Sequence, residues 1–204
     1  MDEQITETII ENQTIVGDSD DFAIGYAFIG EDRITEISMY VGDANILGFV
    51  KGGTHCTLRW AYLEGLLAWL KGFACNMKED PFPVDVEGEF ASERIANALG
   101  SGPEDEDEFA EYVDPIWDWV GSHSWVSERG GAILSHVYFE LKDGMVEVSW
   151  DNRNPGDGVA FDCELGGDCV SATVFKDVVL GFVDAYETHW GIRIDDDSTW
   201  MREK

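Results

Sequence analysis

Hydrophobic and polar residues alternate most cleanly between Ser135 and Trp150. His136, Tyr138 and Glu140 fall on one side of an extended chain and Val137, Phe139 and Leu141 on the other; after Lys142-Asp143-Gly144 the pattern resumes with Val146, Val148 and Trp150 against Glu147 and Ser149. Period two in both arms predicts a pair of strands, and Asp-Gly supplies the positive φ values that a tight hairpin turn needs. One face is expected to be apolar and buried, the other to carry Glu140 and Glu147 into solvent. Just upstream, Phe109, Tyr112, Val113, Ile116, Trp117 and Val120 fall at the spacing of one helical stripe. Pro115 interrupts it, so either the helix kinks there or Asp114 caps a fresh helix that starts at Pro115, where a missing N–H costs nothing.

The same reading extends along the chain. Phe22–Ile29 is apolar and punctuated by glycine, and Thr35, Ile37, Met39 and Val41 alternate with Glu36, Ser38 and Tyr40, which predicts strands. Gly42-Asp43 turns the chain into Ile46–Val50. Gly52-Gly53 makes a loop, after which Thr57 is placed to cap a helix whose buried stripe is Leu63, Leu66, Leu67, Leu70 and Phe73, with Trp60 and Trp69 flanking it. Pro81 and Pro83 forbid helix through an extended connector. Phe90–Leu99 predicts a short helix ending at Gly100. Beyond the hairpin, Asp151–Gly158 (DNRNPGDG) reads as a turn-rich loop, Val159–Cys163 as a strand and Gly166-Gly167 as its turn. Ser171 is placed to cap a long helix with Phe175, Val178, Val179, Phe182, Tyr186 and Trp190 on one face and Gly191 at its end.

Together these elements predict an α+β fold: two antiparallel β-meanders, each followed by an amphipathic helix, in a single compact domain over residues 22–191. Residues 1–21 are expected to be an acidic, frayed N-terminus and 192–204 a polar tail. The segments 22–73 and 135–191, joined by the acidic helical segment 90–124, share a grammar. That similarity fits an internal duplication or the ordinary construction of two α+β layers, and residue identity between them is too low to decide.

Composition adds the charge. With 44% hydrophobic and 12% aromatic residues the chain has what a folded core needs, yet 42 acidic residues against 13 Lys and Arg leave a formal net charge of −29. A charge of that size repels itself and argues against direct binding to nucleic acid or to an anionic membrane. It is compatible with a basic protein partner, a cation, or life in high salt. No basic, apolar leader precedes the first strands and no stretch reaches the length of a membrane span, so a cytoplasmic protein with four reduced cysteines is expected.

Candidate chemistry is sparse. Cys56, Cys75, Cys163 and Cys169 with His55 hold enough ligands for zinc, but no Cys-x-x-Cys pair occurs and the spacing matches no standard pattern. No metal or other cofactor is expected. Ser122, His123 and Ser124 are sequence neighbours at a helix end, whereas a triad converges from separate segments. Asp151–Gly158 lacks the twelve-residue ligand spacing and closing Glu of a calcium loop. No Gly-x-Ser-x-Gly, P-loop or dinucleotide pattern is present, so no catalytic residue is assigned. A small carboxylate-dependent hydrolase built on Glu140, Glu147, Asp151 or Asp157 remains an alternative, as does a halophile's protein with a solvated acidic surface.

The feature that carries most weight is Glu104–Asp118. From Ile95 to Glu128 there is no Lys or Arg, and five consecutive carboxylates, Glu104, Asp105, Glu106, Asp107 and Glu108, are followed by Glu111, Asp114 and Asp118 at helical spacing. Residues three and four apart on a helix lie about 5–6 Å from one another, and phosphates along a DNA strand repeat on a broadly similar scale. Such a row suits a basic, nucleic-acid-binding groove on another protein, with Trp119 and Trp125 as apolar anchors. The segments PFPVDVEGEFA, PIWDWVGSHS and GGAILSHVYFELKDGMVEVSWDNR, spanning Pro81 to Arg153, resemble a block in uncharacterised bacterial proteins that travel with prophage-immunity-type metallopeptidases and other mobile-element defence genes. The resemblance implies a bacterial cytosolic protein in a defence or immunity setting. It transfers no metal ligand, since this chain has no metallopeptidase motif. The function expected is therefore a non-enzymatic acidic inhibitor that binds a basic protein, such as a nuclease.

Overall fold

A computed structural model describes residues 13–125, 135–153, 155 and 158–195. They form one α+β domain with eleven strands and four helices. The first half is a meander: β1 (Thr14–Asp18), β2 (Phe22–Ile29), β3 (Ile34–Val41), β4 (Ala44–Asn45), β5 (Phe49–Lys51), β6 (Thr54–Cys56) and β7 (Leu58–Ala61), then helix α1 (Glu64–Asn76). Helices α2 (Ala91–Ser101) and α3 (Glu106–His123) follow, then β8 (Val137–Lys142), β9 (Met145–Asp151), β10 (Val159–Phe161), β11 (Leu165–Ser171) and α4 (Ala172–Trp190). One sheet runs β1-β2-β3-β4 with β7 also on β3, a second runs β10-β5-β6, and a third runs β11-β9-β8. All pairs are antiparallel. No described helix is long and apolar enough to cross a membrane.

The main core lies between the strands and helices α1 and α4. The β2–β3 register sets Phe22 opposite Val41, Ile24 opposite Met39 and Tyr26 opposite Ile37, so the apolar residues share a face, as a period of two demands. The α4 stripe closes on that face, with Phe175 stacked on Phe22 at 5.1 Å and Phe182 tilted on Tyr26 at 5.1 Å. Ser171 Oγ accepts the Val174 N–H at 3.2 Å, and Gly191 ends α4 in the left-handed region at φ 62°, the two devices expected from the sequence. The β8–β9 turn also takes its expected form, with Asp143 and Gly144 both at positive φ.

Several expectations are corrected by packing. Thr57 caps no helix: α1 starts after Leu63, because Leu58 and Arg59 are drawn into β7, where Leu58 faces Ile37 and Arg59 faces Glu36. Gly166-Gly167 is not a turn but the interior of β11. A Cβ on Gly166 would meet the Trp150 indole at 2.8 Å, and one on Gly167 the Phe90 ring at 2.6 Å. These glycines admit two aromatic rings to the strand surface. Thr14–Asp18, expected within the frayed terminus, pair with β2. Ile194, expected in the tail, is buried, with its N–H donated to Glu187 Oε1 at 2.8 Å and its carbonyl accepting from Lys71 at 2.5 Å. Residues 1–12 and 196–204 of the expected termini lie outside the described residues. Strand β10 pairs with β5 of the first half and not with its sequence neighbours.

The third sheet separates two cores. Val137, Phe139, Val146, Val148 and Trp150 point into the main one. On the other side Tyr138 joins Ala91, Ile95 and Ala98 of α2 and Ile116, Trp119 and Val120 of α3 in a second, smaller cluster. Helices α2 and α3 therefore cover the sheet face that the sequence left to solvent, and α3 becomes an outer layer of the molecule.

A candidate partner-binding surface on helix α3

Helix α3 begins where five carboxylates run together, which a repulsion argument alone would forbid. Asp105 resolves it as N-cap: its Oδ1 accepts the N–H groups of Asp107 at 3.0 Å and Glu108 at 3.2 Å. Glu106, Asp107 and Glu108 occupy the first turn, where the positive end of the helix dipole favours negative charge by about 0.3–1 kcal/mol each. The run of five carboxylates is thus a helix start. One helix encloses Pro115, which removes the reading in which Asp114 caps a second one. The Glu111 carbonyl that loses its donor to the proline sits at an exposed position, where water can serve it.

The buried stripe is Val113, Ile116, Trp119, Val120 and His123. Opposite it, Glu104, Asp105, Glu106, Asp107, Glu108, Glu111, Asp114 and Asp118 are all exposed. At 1.5 Å per residue the part of this row on α3, from Glu106 to Asp118, extends over about 18 Å. No described Lys or Arg forms an ion pair with Glu104–Asp114.

The two tryptophans expected as anchors do not reach the surface. Trp119 is 4% exposed; its Nε1 donates to the Asp80 carbonyl at 2.8 Å, His123 stacks on it at 3.9 Å, and Phe82 meets it edge-on at 5.2 Å. Trp125 is fully buried, its Nε1 donating to the Ser135 carbonyl at 2.9 Å and its ring edge-on to Phe139 at 5.4 Å. The exposed ring is Trp117, at 52%. At about 100° per residue, Trp117 and Trp119 flank Ile116 on opposite sides of the stripe, by about 100° and 60°. The connector carrying Asp80 and Phe82 covers the Trp119 side, and nothing in the helix period says which side is covered.

Glu140 and Glu147 are likewise not on a solvent face. They face each other across β8 and β9, are 6% and 8% exposed, and lie beneath α2. The Arg94 guanidinium bonds Glu140 directly and lies 3.5 Å from Glu147 Oε2, while the Ala91 N–H donates to Glu147 Oε1 at 2.5 Å. Burial raises the Glu140 carboxyl above its ordinary value, Arg94 pulls it back, and Glu147 pushes it up again. This pair is enclosed and held by an arginine and a helix N-terminus. Asp151 is bound by Arg153 at 2.6 Å, which lowers its carboxyl; Asp157 lies outside the described residues. Among the described residues no three His, Cys, Asp or Glu side chains converge as a metal site requires.

Beside the C-terminal end of α3 a half-open cleft encloses about 250 Å³. Its walls are the last turn of α1 with Met77 and Lys78, Asp80 of the connector, and Trp117, Asp118, Gly121, Ser122 and His123 of α3. The sequence gives no sign of it, because it forms only where α1 and α3 end side by side.

No family model matches the sequence, and no curated protein does. Among solved structures, CdiI from Burkholderia dolosa AUO158 is similar with a TM-score of 0.49 and 14% identity, over 84% of this chain and 99% of that one.

Proposed function

We propose that this chain is a non-enzymatic acidic binding protein that occupies the basic surface of a partner protein, and that the outer face of α3 is its contact surface. The observation that carries the reading is the exposed row from Glu104 to Asp118 on a rigid helix with no basic neighbour between Ile95 and Glu128. Elsewhere the chain places its bases where they tie elements together: Arg33 to Glu64, Arg59 to Glu36, Lys71 to Glu187 and Arg94 to Glu140. Over Glu104–Asp114 the row makes no such tie among the described residues; within it Asp105 only caps its own helix. A row of fixed carboxylates matches a groove built for phosphates, and association releases the counterions both surfaces hold. The partner is accordingly a nuclease or another nucleic-acid-handling protein, inhibited by occupation of its groove, as immunity and anti-restriction proteins inhibit theirs.

The test is capture from a native lysate at low salt with the wild-type chain and with a variant neutralised at Glu104→Gln, Glu108→Gln, Glu111→Gln and Asp114→Asn. A basic protein held by the wild type, lost by the variant and released by added duplex DNA supports the reading. Equal capture by both chains, or capture indifferent to DNA, rejects it.

A further inference from the structure

The cleft at the end of α3 meets the acidic row at Asp118 and has a chemistry of its own. Its floor is aromatic: Phe73 and His123, both buried, meet edge-on at 6.4 Å, and His123 lies flat on Trp119 with 3° between the planes. Its rim carries Trp117, Asp118, Asp80 and Lys78. The last turns of α1 and α3 both line it. Each brings the negative end of a helix dipole, which favours cations, and neither α1 nor α3 has a Lys or Arg in that turn. Two carboxylates and two helix C-termini thus stand against the amine of Lys78 and the His123 imidazole at the floor.

Size and access narrow the occupant. At about 250 Å³ the space falls below the roughly 300–1,000 Å³ of ordinary small-molecule pockets, so it suits one long side chain. Gly121 sits on its edge, and a Cβ there would meet no atom within 4 Å. A helix-interior glycine costs about 0.8–1 kcal/mol relative to alanine, and no packing need requires it here. Its effect is to leave the mouth open beside the Trp117 ring. A planar cation fits better than an ammonium, because a guanidinium stacks on an indole face while its N–H fork reaches carboxylates.

We propose that this cleft receives the guanidinium end of an arginine side chain of the protein partner, stacked on Trp117 and facing Asp118 and Asp80. The proposal rests on the reading of α3 as a surface for a basic protein and adds a specific anchor to it. Trp117 thereby takes the anchoring part that the two buried tryptophans cannot.

The experiment is a ¹⁵N–¹H titration of the intact chain with N-acetyl-arginine methylamide, alongside the lysine analogue and the uncharged, isosteric citrulline analogue. The expected result is saturable shifts of the Gly121 and Ser122 amides and the Trp117 indole with arginine, at least several-fold weaker binding of lysine, and none of citrulline. Trp117→Ala and Gly121→Leu should each weaken the arginine response at Gly121 or its neighbour Ser122 by tenfold or more. Citrulline shifts equal to those of arginine, or no saturable arginine shift in a folded chain, overturn the proposal. The variant neutralised at Glu104, Glu108, Glu111 and Asp114 keeps Asp118 and Asp80 and should keep the arginine response. Loss of partner capture in that variant therefore reports on the acidic row, and loss of the arginine response in Gly121→Leu reports on the cleft.

Discussion

Glu140 and Glu147 lie beneath the layer formed by α2 and α3, and the row from Glu104 to Asp118 lies on top of it. The lower pair is enclosed, opposed strand to strand, and held by Arg94 and the Ala91 N–H. The upper row is open to water and, over Glu104–Asp114, has no basic partner among the described residues. One chain thus treats carboxylates in two opposite ways. Buried charge must be paired to be tolerated, whereas exposed charge is tolerated without any partner. The lower set ties α2 to the sheet; in the upper row Asp105 caps α3, and Glu104–Asp114 form no ion pair among the described residues.

The sharpest way to break that contrast is to remove Arg94. Arg94→Ala leaves two enclosed carboxylates facing each other without a counter-charge, and breaking such a buried pair costs about 3–5 kcal/mol. Denaturant unfolding should show that loss; a change under about 1 kcal/mol would place the pair in the solvated class. Close in size is Trp119→Ala, for which a core Trp truncation costs about 3–5 kcal/mol. Trp117→Ala, two residues away but exposed, should fall within the roughly ±0.5 kcal/mol of surface changes. Equal effects of the two would contradict the assignment of one to the core and one to the surface.

A smaller effect is expected at Gly121. Gly121→Ala places a methyl in open space and should raise stability by up to about 1 kcal/mol through helix propensity. Destabilisation there would mean that the cleft wall is closed. The smallest effect concerns acid titration. Glu140 has its carboxyl raised, chiefly by burial, so its contribution to stability is fully present below its ordinary value of 4.5 and lost as pH rises through the raised one. Wild-type stability relative to Glu140→Gln should therefore fall as pH climbs from below 4.5. A constant difference between the two unfolding curves would show that burial leaves Glu140 unshifted.

What could be read from the residues was what is settled locally. The Asp143-Gly144 turn, the Ser171 cap and the Gly191 terminus depend on a few neighbouring residues, and all three took the expected form. The alternation in β2, β3, β8 and β9 and the stripes of α1 and α4 gave the α+β class. What depended on distant cover was not legible. Glu140 and Glu147 look solvent-facing until α2 lies on them, and Gly166-Gly167 looks like a turn until Trp150 and Phe90 need the space. Trp117 and Trp119 are told apart only by the connector through Asp80 and Phe82. The acidic row was plain in the sequence, since five adjacent carboxylates need no tertiary information. The cleft beside it had no local signal except an unforced glycine within a helix.

If the α3 row acts on a partner, neutralising it should weaken binding and leave the fold in place. The direct measurement compares the wild type with the variant neutralised at Glu104, Glu108, Glu111 and Asp114, reading both unfolding free energy and the salt dependence of affinity for the captured partner. The account predicts a stability change within about 0.5 kcal/mol per site. It also predicts a loss of affinity of about tenfold or more at low salt, with a shallower dependence on salt. Unchanged affinity and an unchanged salt slope, or a variant that fails to fold, would contradict it.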